Sequence, residues 1–387
     1  MRLRMITAGE SHGPGLTCVV EGLPAGLPLD RDALDDDLAR RQLGHGRGGR
    51  MRIERDRVEV TAGVRHGRTL GSPVALQVAN RDHANWAERM SPWPVDAEIP
   101  PVRLPRPGHA DLAGLLKYGH RDVRDVLERA SARETAARVA GGALARALLR
   151  ELGVEVRSHV TRIGDVETAL RPRELAAFAG VDEHPVRCLD PQAGAAMVDH
   201  ITRQRKANES IGGVWEVVVF GLPVGLGSHV SWEQRLDGRL AAAVCSIQAC
   251  KGVEFGDGFA LAARPGSAAH DELFPGLERR TNHAGGLEGG MTTGEPLVIR
   301  GAMKPIPTLT RPLRSVDLGT GEPAAALRER TDSCVVPAAG VVGEAMVALV
   351  LADACLAKFG GDHLDDVRAA LAAYRERCDA LVPVAAP

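Results

Sequence analysis

The most regular pattern of hydrophobic and polar positions spans residues 131–152, where apolar side chains return every three or four positions. Ser131 followed by Glu134 has the spacing of a capping box, in which each side chain bonds a backbone N–H at a helix start. The pattern therefore predicts a helix from Ser131 to Leu152 that ends at Gly153. Small residues dominate its apolar face, which allows another element to approach closely. Three arginines mark the side expected to be wetter: Arg138, Arg146 and Arg150.

The remaining periodicity predicts an alternation of strands and helices. Strands are expected at 2–8, 16–21, 58–64, 73–78, 154–163, 213–221, 253–255 and 297–304. Helices are expected after Asp30 as far as Arg41, and at 171–179, 192–206, 236–250 and 335–359. The last of these is apolar and almost long enough to span a bilayer, but its Glu344 and Asp353 favour a helix buried in a protein core. Residues 82–101, with two tryptophans and four prolines, are expected to form a surface loop.

Composition narrows the class of protein. The chain has 387 residues and a net charge of −2, so it has no bulk positive charge for nucleic acid, and few aromatic residues for stacking on bases. All but five of its 48 basic residues are arginine, the side chain suited to bidentate contacts with carboxylate and phosphate. Seven scattered cysteines without a C-x-x-C pair indicate neither a disulfide framework nor a metal site. The first residues lack an apolar signal segment, so we expect a reduced, cytoplasmic protein that is not bound to a membrane.

Positive charge is concentrated near the start of the predicted helix at 131–152. A helix N-terminus attracts anions through its unpaired N–H groups and its dipole. Two interpretations are open: the arginines bind an anionic ligand there, or they pair with neighbouring acids on the surface. The arginines concerned are Arg121, Arg124, Arg129 and Arg133, and the acids are Asp122, Asp125, Glu128 and Glu134.

Several other candidate residues lie in stiff or glycine-rich loops. His12 stands beside Gly13, and His109 follows a Pro-Gly pair, so both rings are expected in fixed turns. His120 is an alternative to His109 without such a frame. Asp332 precedes the predicted helix at 335–359 and is expected either to cap it or to take part in chemistry. Arginines near a glycine-rich loop suit a small polyanion: Arg40, Arg41, Arg47, Arg50 and Arg52.

Nine segments in order along the chain resemble the chorismate synthase family. They are GESHG at 9–13, RRQLGHGR at 40–47, RPGHAD at 106–111, KYGHRD at 117–122, RASARETAARVAGGA at 129–143, KGVEFGDGF at 251–259, NHAGGLEGGMTTG at 282–294, KPIPT at 304–308 and RTDSCVVPAAGVVGEAM at 330–346. The one departure noted is Pro307, where serine is frequent in the family. The resemblance extends over essentially the whole chain.

The resemblance implies an α+β fold, a sandwich of antiparallel sheets around a layer of helices, formed as a single domain over 1–387. It also implies two similar halves, about 1–210 and 211–387, and a homotetramer. Within the chain, LGVEV at 152–156 and KGVEF at 251–255 each follow a predicted alanine-rich helix. This similarity is a weak indication of an internal duplication.

The implied reaction is the 1,4-elimination of phosphate from 5-enolpyruvylshikimate 3-phosphate to give chorismate. It requires reduced FMN, although no net redox change occurs, because the cofactor lends and recovers electron density. Whether the chain also reduces its own flavin with NADPH is left open. An FMN-dependent oxidoreductase is the alternative, and it would consume a hydride donor with every turnover.

The resemblance also assigns roles to residues. His12 and His109 match the family's essential histidines, one assisting flavin protonation and the other the departing phosphate. Asp332 would help to remove the ring proton through flavin N5. The substrate-facing arginines would be Arg41, Arg47, Arg50, Arg106 and Arg133. The FMN contacts would be Arg129, Ala130, Ser131, Gln248, Ala249, Gly289, Lys304, Pro305, Ile306, Pro307, Thr308 and Arg330.

Overall fold

The computed structural model describes residues 3–49, 53–329 and 332–381. Its strands are β1 (Arg4–Ala8), β2 (Gly15–Glu21), β3 (Glu59–Ala62), β4 (Val64–Arg65), β5 (Arg68–Thr69), β6 (Val74–Ala79), β7 (Glu155–Ile163), β8 (Val166–Glu167), β9 (Gly213–Phe220), β10 (Cys250–Phe255), β11 (Leu273–Phe274), β12 (Glu278–Arg279), β13 (Leu287–Glu288), β14 (Met291–Thr292), β15 (Leu297–Met303), β16 (Arg314–Val316) and β17 (Pro323–Ala325).

The α-helices are α1 (Arg31–Gln42), α2 (Asp111–Tyr118), α3 (Arg124–Ala130), α4 (Thr135–Glu151), α5 (Pro191–Lys206), α6 (Leu236–Cys245), α7 (Gly266–Ala269), α8 (Val336–Phe359) and α9 (Leu364–Leu381). Short 3-10 helices lie at Arg81–Asn85, Ala132–Glu134, Leu175–Phe178, Val181–Glu183, Trp232–Gln234, Gly258–Ala263 and Pro275–Leu277. Asp30 caps α1 by accepting from the backbone N–H of Asp32, as the sequence indicates.

Two antiparallel sheets carry most of the strand residues. The first has the order β1-β2-β6-β3, and the second has the order β10-β15-β9-β7-β8. In the second sheet Val217 of β9 lies opposite Ile299 of β15, and both side chains are buried. The described strands and helices therefore form an α+β fold, as predicted.

Helices fill the space between the two sheets, and glycines set how closely they pack. A Cβ on Gly141 of α4 would lie 2.6 Å from Met5 Sδ of the first sheet, and one on Gly142 would lie 2.3 Å from Ala345 Cβ of α8. On the far side of α8, a Cβ on Gly343 would lie 2.5 Å from the Trp215 ring of the second sheet. The order of layers is thus sheet, α4 with α1, α8 with α6, sheet.

Helix α8 runs through the centre of this arrangement. Among the described residues it alone is long and apolar enough to cross a membrane, but 89% of its most apolar window is buried inside the protein. Nearly every side chain from Val336 to Leu356 is buried against neighbouring helices or the second sheet. It is therefore a core helix, as its Glu344 and Asp353 indicate in the sequence.

The start of α4 differs from the predicted capping box. Residues Ala132–Glu134 form a 3-10 turn, and Ser131 Oγ accepts from the N–H of Arg133. The Glu134 carboxylate does not reach back to the helix start; its partners include Arg138 and Gln248. The reciprocal half of the capping box is therefore wrong, because tertiary donors compete for this carboxylate.

Three other local predictions are also wrong. Arg146 is 5% exposed rather than on the wet side of α4, because carboxylates on other helices bond it. Helix α6 ends at Cys245, and β10 begins at Cys250 because it pairs there with Met303 of β15. The helix expected at 171–179 is only the 3-10 turn Leu175–Phe178.

The boundary predicted near residue 210 does not assign one sheet to each half of the chain. Strands β7 and β8 precede residue 210, but β7 pairs with β9, so the second sheet takes strands from both sides of that boundary. The strands that follow the two alanine-rich helices, β7 and β10, also belong to this one sheet. The division into two similar halves remains a prediction.

Candidate active site

A cavity of about 800 Å³ lies where loops from both halves of the chain meet the starts of two helices. Residues 130–133 and Thr135 bring the start of α4 to its wall, and Val335, Ala338 and Ala339 bring the start of α8. The volume falls in the range typical of small-molecule sites. The helix start singled out in the sequence is thus part of a cavity.

The wall of this cavity is strongly positive. Among the described residues, its only carboxylates are Glu329 and Asp332. Its cationic side chains are Arg41, Arg47, Arg89, Arg106, Arg124, Arg133, Lys251, Lys304 and Arg328. Such an excess of cations, with helix N-termini beside it, favours a ligand with several negative charges.

His12 is held at the cavity by a buried carboxylate. Its Nδ1 lies 2.9 Å from Glu128 Oε1, and its backbone N–H donates to Glu128 Oε2 at 2.8 Å. Burial would raise the pKa of Glu128, but hydrogen bonds from His12 and its charge outweigh this, so the pKa lies below the usual value. Glu128 thus contacts the Nδ1 edge of the ring and not Nε2.

Trp86 packs on the ring of His12. The ring centroids are 4.1 Å apart and the planes are 26° from parallel. The guanidinium carbon of Arg124 lies 4.8 Å from the centre of the Trp86 ring. The loop expected at the surface over 82–101 is mostly exposed, as predicted, and near its start Trp86 and Arg89 also line the cavity.

His109 has an equivalent partner in Asp111. Its Nδ1 lies 2.5 Å from Asp111 Oδ1, and Arg106 Nε donates to Asp111 Oδ2 at 2.9 Å. Burial would raise the pKa of Asp111, but hydrogen bonds from His109 and Arg106 hold it well below the usual range. Arg106 Nη1 also donates to Thr308 Oγ1, which ties this loop to residues 304–308.

Arg133 and Arg41 share one acidic partner. Arg133 Nη1 donates to Asp56 at 2.6 Å, and its Nε donates to Asn80. Arg41 Nη2 lies 3.7 Å from Asp56, and its Nε is buried without a hydrogen-bond partner in the described part of the chain. Burial lowers the pKa of Arg41 to about 9, although the charge of Asp56 raises it in part, and the charges of Arg133 and Arg47 lower it as well. Arg41 is therefore a buried cation with incomplete compensation.

Arg47 and Asp332 meet at the cavity wall, near enough to Arg41 for their charges to influence its pKa. Arg47 Nη1 lies 3.2 Å from Asp332 Oδ2, and the N–H of Gly48 donates to Asp332 Oδ1 at 2.5 Å. Helix α8 begins after Val335 without a side-chain cap. The interpretation of Asp332 as an N-cap is therefore wrong, and its carboxylate lines the cavity instead.

Most of the predicted flavin contacts lie on the same wall: Ala130, Ser131, Gln248, Ala249, Lys304, Ile306, Pro307 and Thr308. Gln248 Nε2 donates to Glu134, while its Oε1 is buried with no hydrogen-bond partner among the described residues. Ala249 has a φ of +66°, a strained value for a residue with a side chain, and its carbonyl accepts from the N–H of Lys304. The turn at Ala249 therefore connects Gln248 and Ala249 with the loop at 304–308.

Some predicted residues are placed elsewhere. Arg129 bonds the carbonyls of Thr7 and Gly9, and neither it, Gly289 nor Pro305 lines the cavity. Arg50 and Arg330 lie outside the described residues. Their roles stay predictions. His120, the alternative to His109, is 3.7 Å from exposed Asp125 and away from the cavity wall.

Sequence reasoning missed the residues behind the histidines and arginines. Glu128 was treated only as a surface partner for arginine, and Asp111 and Asp56 were not singled out as partners. A carboxylate two residues after His109 was a usable signal, since a ring nitrogen often pairs with a nearby acid. Nothing local could link Asp56 with Arg133, because they are 77 positions apart and meet only through folding.

The fold and the cavity together indicate a class of protein. An α+β fold presents two carboxylate-paired histidines, a cluster of arginines and two helix starts to one cavity. These groups can bind a small molecule with several negative charges and transfer protons to it. The fold and site define an enzyme that acts on a small anionic substrate.

Comparisons with known proteins identify the family. The family model described as chorismate synthase matches residues 3–356. A chorismate synthase of Rubrobacter xylanophilus is 58% identical over 97% of both chains, and one of Acidothermus cellulolyticus is 57% identical over 96% of this chain and 98% of that one. A crystal structure of chorismate synthase superposes with a TM-score of 0.79 at 40% identity, covering 98% of this chain and 99% of that one.

The chain belongs to the chorismate synthase family. Enzymes of this family are carbon–oxygen lyases of the shikimate pathway, which leads to the aromatic amino acids. The alternative of an FMN-dependent oxidoreductase is thereby set aside as the main activity.

Proposed function

We propose that the cavity at the starts of α4 and α8 binds 5-enolpyruvylshikimate 3-phosphate together with reduced FMN and eliminates phosphate to give chorismate. One observation carries the proposal. Two histidines, His12 and His109, line one cationic cavity, and each is bonded through Nδ1 to a buried carboxylate. Two oriented proton-transfer groups beside an anion site suit a reaction that moves protons and releases phosphate.

The arginines are proposed to bind the substrate. It carries two carboxylates and a phosphate, and guanidinium groups bind such groups with paired hydrogen bonds. Arg41 is the strongest candidate because it is buried at the cavity wall, its Nε has no hydrogen-bond partner among the described residues, and a bound anion would raise its lowered pKa. Arg47 and Arg106 supply further cations at the same wall. Arg133, with Asp56 and Asn80 already bonded, would mainly hold the wall in place.

The histidines are proposed to divide the proton transfers. His109 shares the loop of Arg106, so it would donate to an oxygen of the departing phosphate. His12 would hold or donate a proton on the cofactor side, next to Ser131, whose hydroxyl bonds that of Ser11. With Nδ1 directed at a carboxylate in both cases, Nε2 is the atom that would exchange the proton.

Asp332 is proposed to assist removal of the ring proton. Its carboxylate lines the cavity and is oriented by the N–H of Gly48 and by Arg47. These two contacts define the position of the carboxylate at the cavity wall. Arg47 would therefore serve both the substrate and the orientation of Asp332.

The residues present fit a flavin. Gln248 offers a buried amide oxygen without a partner, which suits a ring N–H of the cofactor. The helix start at Ala130 and Ser131, the turn at Ala249 and the 304–308 loop would hold the rest. When bound, reduced FMN supplies electron density as the C–O bond breaks. The predicted contacts of Arg129, Gly289, Pro305 and Arg330 are kept as proposals.

Three properties of the whole protein are proposed on the family resemblance. They are assembly as a homotetramer, a cytoplasmic location, and use of NADPH, if the chain reduces its own flavin. Light scattering of the purified chain would give the assembly. Anaerobic mixing of the FMN-loaded protein with NADPH would show by flavin absorbance whether it carries out the reduction.

An anaerobic assay with chemically reduced FMN tests the proposal. The protein is mixed with substrate and a limiting amount of reduced flavin, and chorismate and phosphate are measured together. Many chorismates per reduced flavin, with phosphate in equal amount, are expected because the reaction has no net redox change. Oxidised FMN should support no turnover.

One product per reduced flavin would instead identify an oxidoreductase that consumes its hydride source. Turnover with oxidised FMN, or without flavin, would contradict the role of the cofactor. Turnover that survives replacement of both His12 and His109 by alanine would contradict the location of the reaction in this cavity.

A further inference from the structure

We propose that Glu128 is a positioning residue that fixes the tautomer and orientation of His12, with Trp86 holding the plane of the ring. The inference deepens the proposed function and rests on it for the role of His12. It concerns a residue that lies behind the histidine and away from the cavity wall, because Glu128 is buried and does not line the cavity.

Three donors converge on the Glu128 carboxylate. The backbone N–H of His12 donates to Oε2 at 2.8 Å, and His12 Nδ1 lies 2.9 Å from Oε1. Arg124 Nη1 donates to Oε1 at 2.8 Å. The main chain adds a fourth link, since the N–H of Ser11 donates to the carbonyl of Glu128 at 3.0 Å. Helix α3 therefore holds the loop of His12 through both the side chain and the backbone of one residue.

Different residues contact the face of the His12 ring and its Nδ1 edge. Trp86 stacks on the imidazole, and Arg124, which bonds Glu128, lies over the same indole. The carbonyl of His12 lies 2.9 Å from His83 Nδ1, in the 3-10 helix that precedes Trp86. Edge and plane are thus controlled by different elements, α3 and the loop after β6, which meet at His12.

The chemistry of these contacts requires a carboxylate. A carboxylate accepts at both oxygens, so it can serve a backbone N–H, an imidazole N–H and a guanidinium together. A glutamine of the same shape has one acceptor oxygen and would turn an NH₂ group towards one of these donors. The carboxylate therefore places the proton of a neutral His12 ring on Nδ1 and leaves Nε2 as the acceptor. Loss of an orienting carboxylate in this way is known to leave a histidine in the wrong tautomer.

The test compares Glu128→Gln with Asp125→Asn. Asp125 is a carboxylate on the same helix, exposed, and paired only loosely with His120 at 3.7 Å. The tautomer is read in protein without flavin or substrate, from two-bond proton–nitrogen spectra of histidine rings labelled with ¹⁵N. A His12→Gln variant assigns the signal. Anaerobic kcat and KM are measured on the same preparations.

In the unmodified protein the neutral His12 ring is expected to carry its proton on Nδ1. In Glu128→Gln the signal should move towards the Nε2–H form, and kcat should fall by at least about tenfold, with KM little changed. Asp125→Asn should alter neither. A role of Glu128 in folding alone would lower stability and leave the ring tautomer and kcat of the folded fraction as they were.

An unchanged tautomer and kcat in folded Glu128→Gln would overturn the inference, and so would two further results. A neutral His12 ring protonated on Nε2 in the unmodified protein would do so without any variant, even if Glu128→Gln failed to fold. A changed tautomer with normal kcat would overturn it as well. In that second case the turnover of His12→Ala separates two explanations. Near-normal turnover would show that His12 does not transfer the proton. Loss of turnover would show that His12 is needed but that its tautomer does not matter.

Discussion

Two groups of arginines in this protein differ in how completely carboxylates compensate them. The core cluster lies among α1, α4, α8 and β7 and contains Arg40, Arg146, Arg187, Asp37, Asp182 and Glu344. The cavity cluster contains Arg41, Arg47, Arg106 and Arg133. Helix α1 contributes adjacent residues to both, Arg40 to the first and Arg41 to the second.

In the core cluster three arginines meet three carboxylates. Arg40 Nη2 lies 2.8 Å from Glu344 Oε1, and Glu344 also contacts Arg146 and Arg187 at 3.2 Å. Burial lowers the pKa of Arg40, but the charge of Glu344 and its hydrogen bond raise it above the usual range. Burial raises the pKa of Glu344, but the three arginines hold it well below the ordinary range. Arg187 is less completely compensated, since burial lowers its pKa to about 10 and its Nε has no hydrogen-bond partner among the described residues. No member of this cluster lines the cavity, however.

In the cavity cluster the carboxylates lie behind the arginines or are shared. Asp56 serves Arg133 closely and Arg41 only at 3.7 Å, so burial leaves Arg41 with its pKa lowered to about 9. Adjacent arginines of α1 therefore differ in how fully carboxylates compensate them and in whether they reach the cavity. We expect the paired arginines of the core to stabilise the fold, and Arg41 at the cavity to be available to an anion.

The largest expected effect comes from removing the central acid of the core cluster. Glu344→Ala leaves three buried arginines without their common partner, and breaking a buried ion pair typically costs about 3–5 kcal/mol. We expect the free energy of unfolding in urea to fall by that amount. The smaller loss expected for Glu344→Gln, which keeps the hydrogen-bond acceptor, serves as the control. If Glu344→Ala unfolds like the unmodified protein, the core cluster is not a stabilising element.

The second-largest effect is expected in the cavity cluster, where a substitution should weaken ligand binding and not the stability of the fold. Arg47→Ala should weaken substrate binding by about 1.5–3 kcal/mol, the value of a hydrogen bond to a charged group, and weaken FMN binding less. Equilibrium titrations with each ligand separately measure the two affinities, and Arg47→Lys tests whether charge alone suffices. Unchanged affinity for the substrate would remove Arg47 from the anion site.

The pH dependence of stability sharpens the comparison. The pKa of Glu344 is ordinarily 4.5 and is lowered by the three arginines in the folded state. As pH falls below about 4.5, the unfolded chain takes up a proton before the folded one, so stability is lost at up to about 1.4 kcal/mol per pH unit.

Glu344→Gln lacks this titration. The difference in free energy of unfolding between the unmodified protein and this variant should therefore be full at neutral pH and shrink below pH 4.5. Urea unfolding of both proteins across the acid range measures it. Because Asp111 and Glu128 also have lowered pKa values, only the difference between the two proteins is diagnostic. A difference that stays constant with pH would contradict the assignment.

The smallest effect is expected at an exposed pair. Glu151 at the end of α4 contacts Arg368 near the start of α9, where both side chains reach solvent. Glu151→Gln should change the free energy of unfolding by about 0–1 kcal/mol, the usual range for surface ion pairs. A loss as large as that of Glu344→Ala would show that burial does not explain the difference between the clusters.

The sequence predicted the strands of the two larger sheets except β8, and five of the nine described α-helices, within a few residues; it did not predict α2, α3, α7 or α9. Helix α5 was expected at 192–206 and spans Pro191–Lys206, and the apolar helix at 335–359 spans Val336–Phe359. The spacing of hydrophobic residues along a helix or strand is a local property, so it can be read from a single sequence. Errors occurred where distant partners decide the outcome, as at Arg146 and at the end of α6.

The candidate site was predicted in part. The motifs identified His12, His109 and Asp332, and the structure brings all three to one cavity, although their roles stay predictions. Glu128, Asp111 and Trp86 were not assigned to the histidines. Their partnerships depend on where loops separated by many residues meet, and Glu128 lies 116 positions from His12.

By itself the sequence determined the periodic faces of the helices, the small residues that let α4 and α8 approach, the excess of arginine and the family motifs. Only the tertiary structure decided which arginines are compensated. Arg40 and Arg41 are adjacent in the same helix, yet one reaches Glu344 and the other reaches the cavity. Compensation of a charge depends on distance and burial in three dimensions, and adjacent positions in the chain carry no information about either.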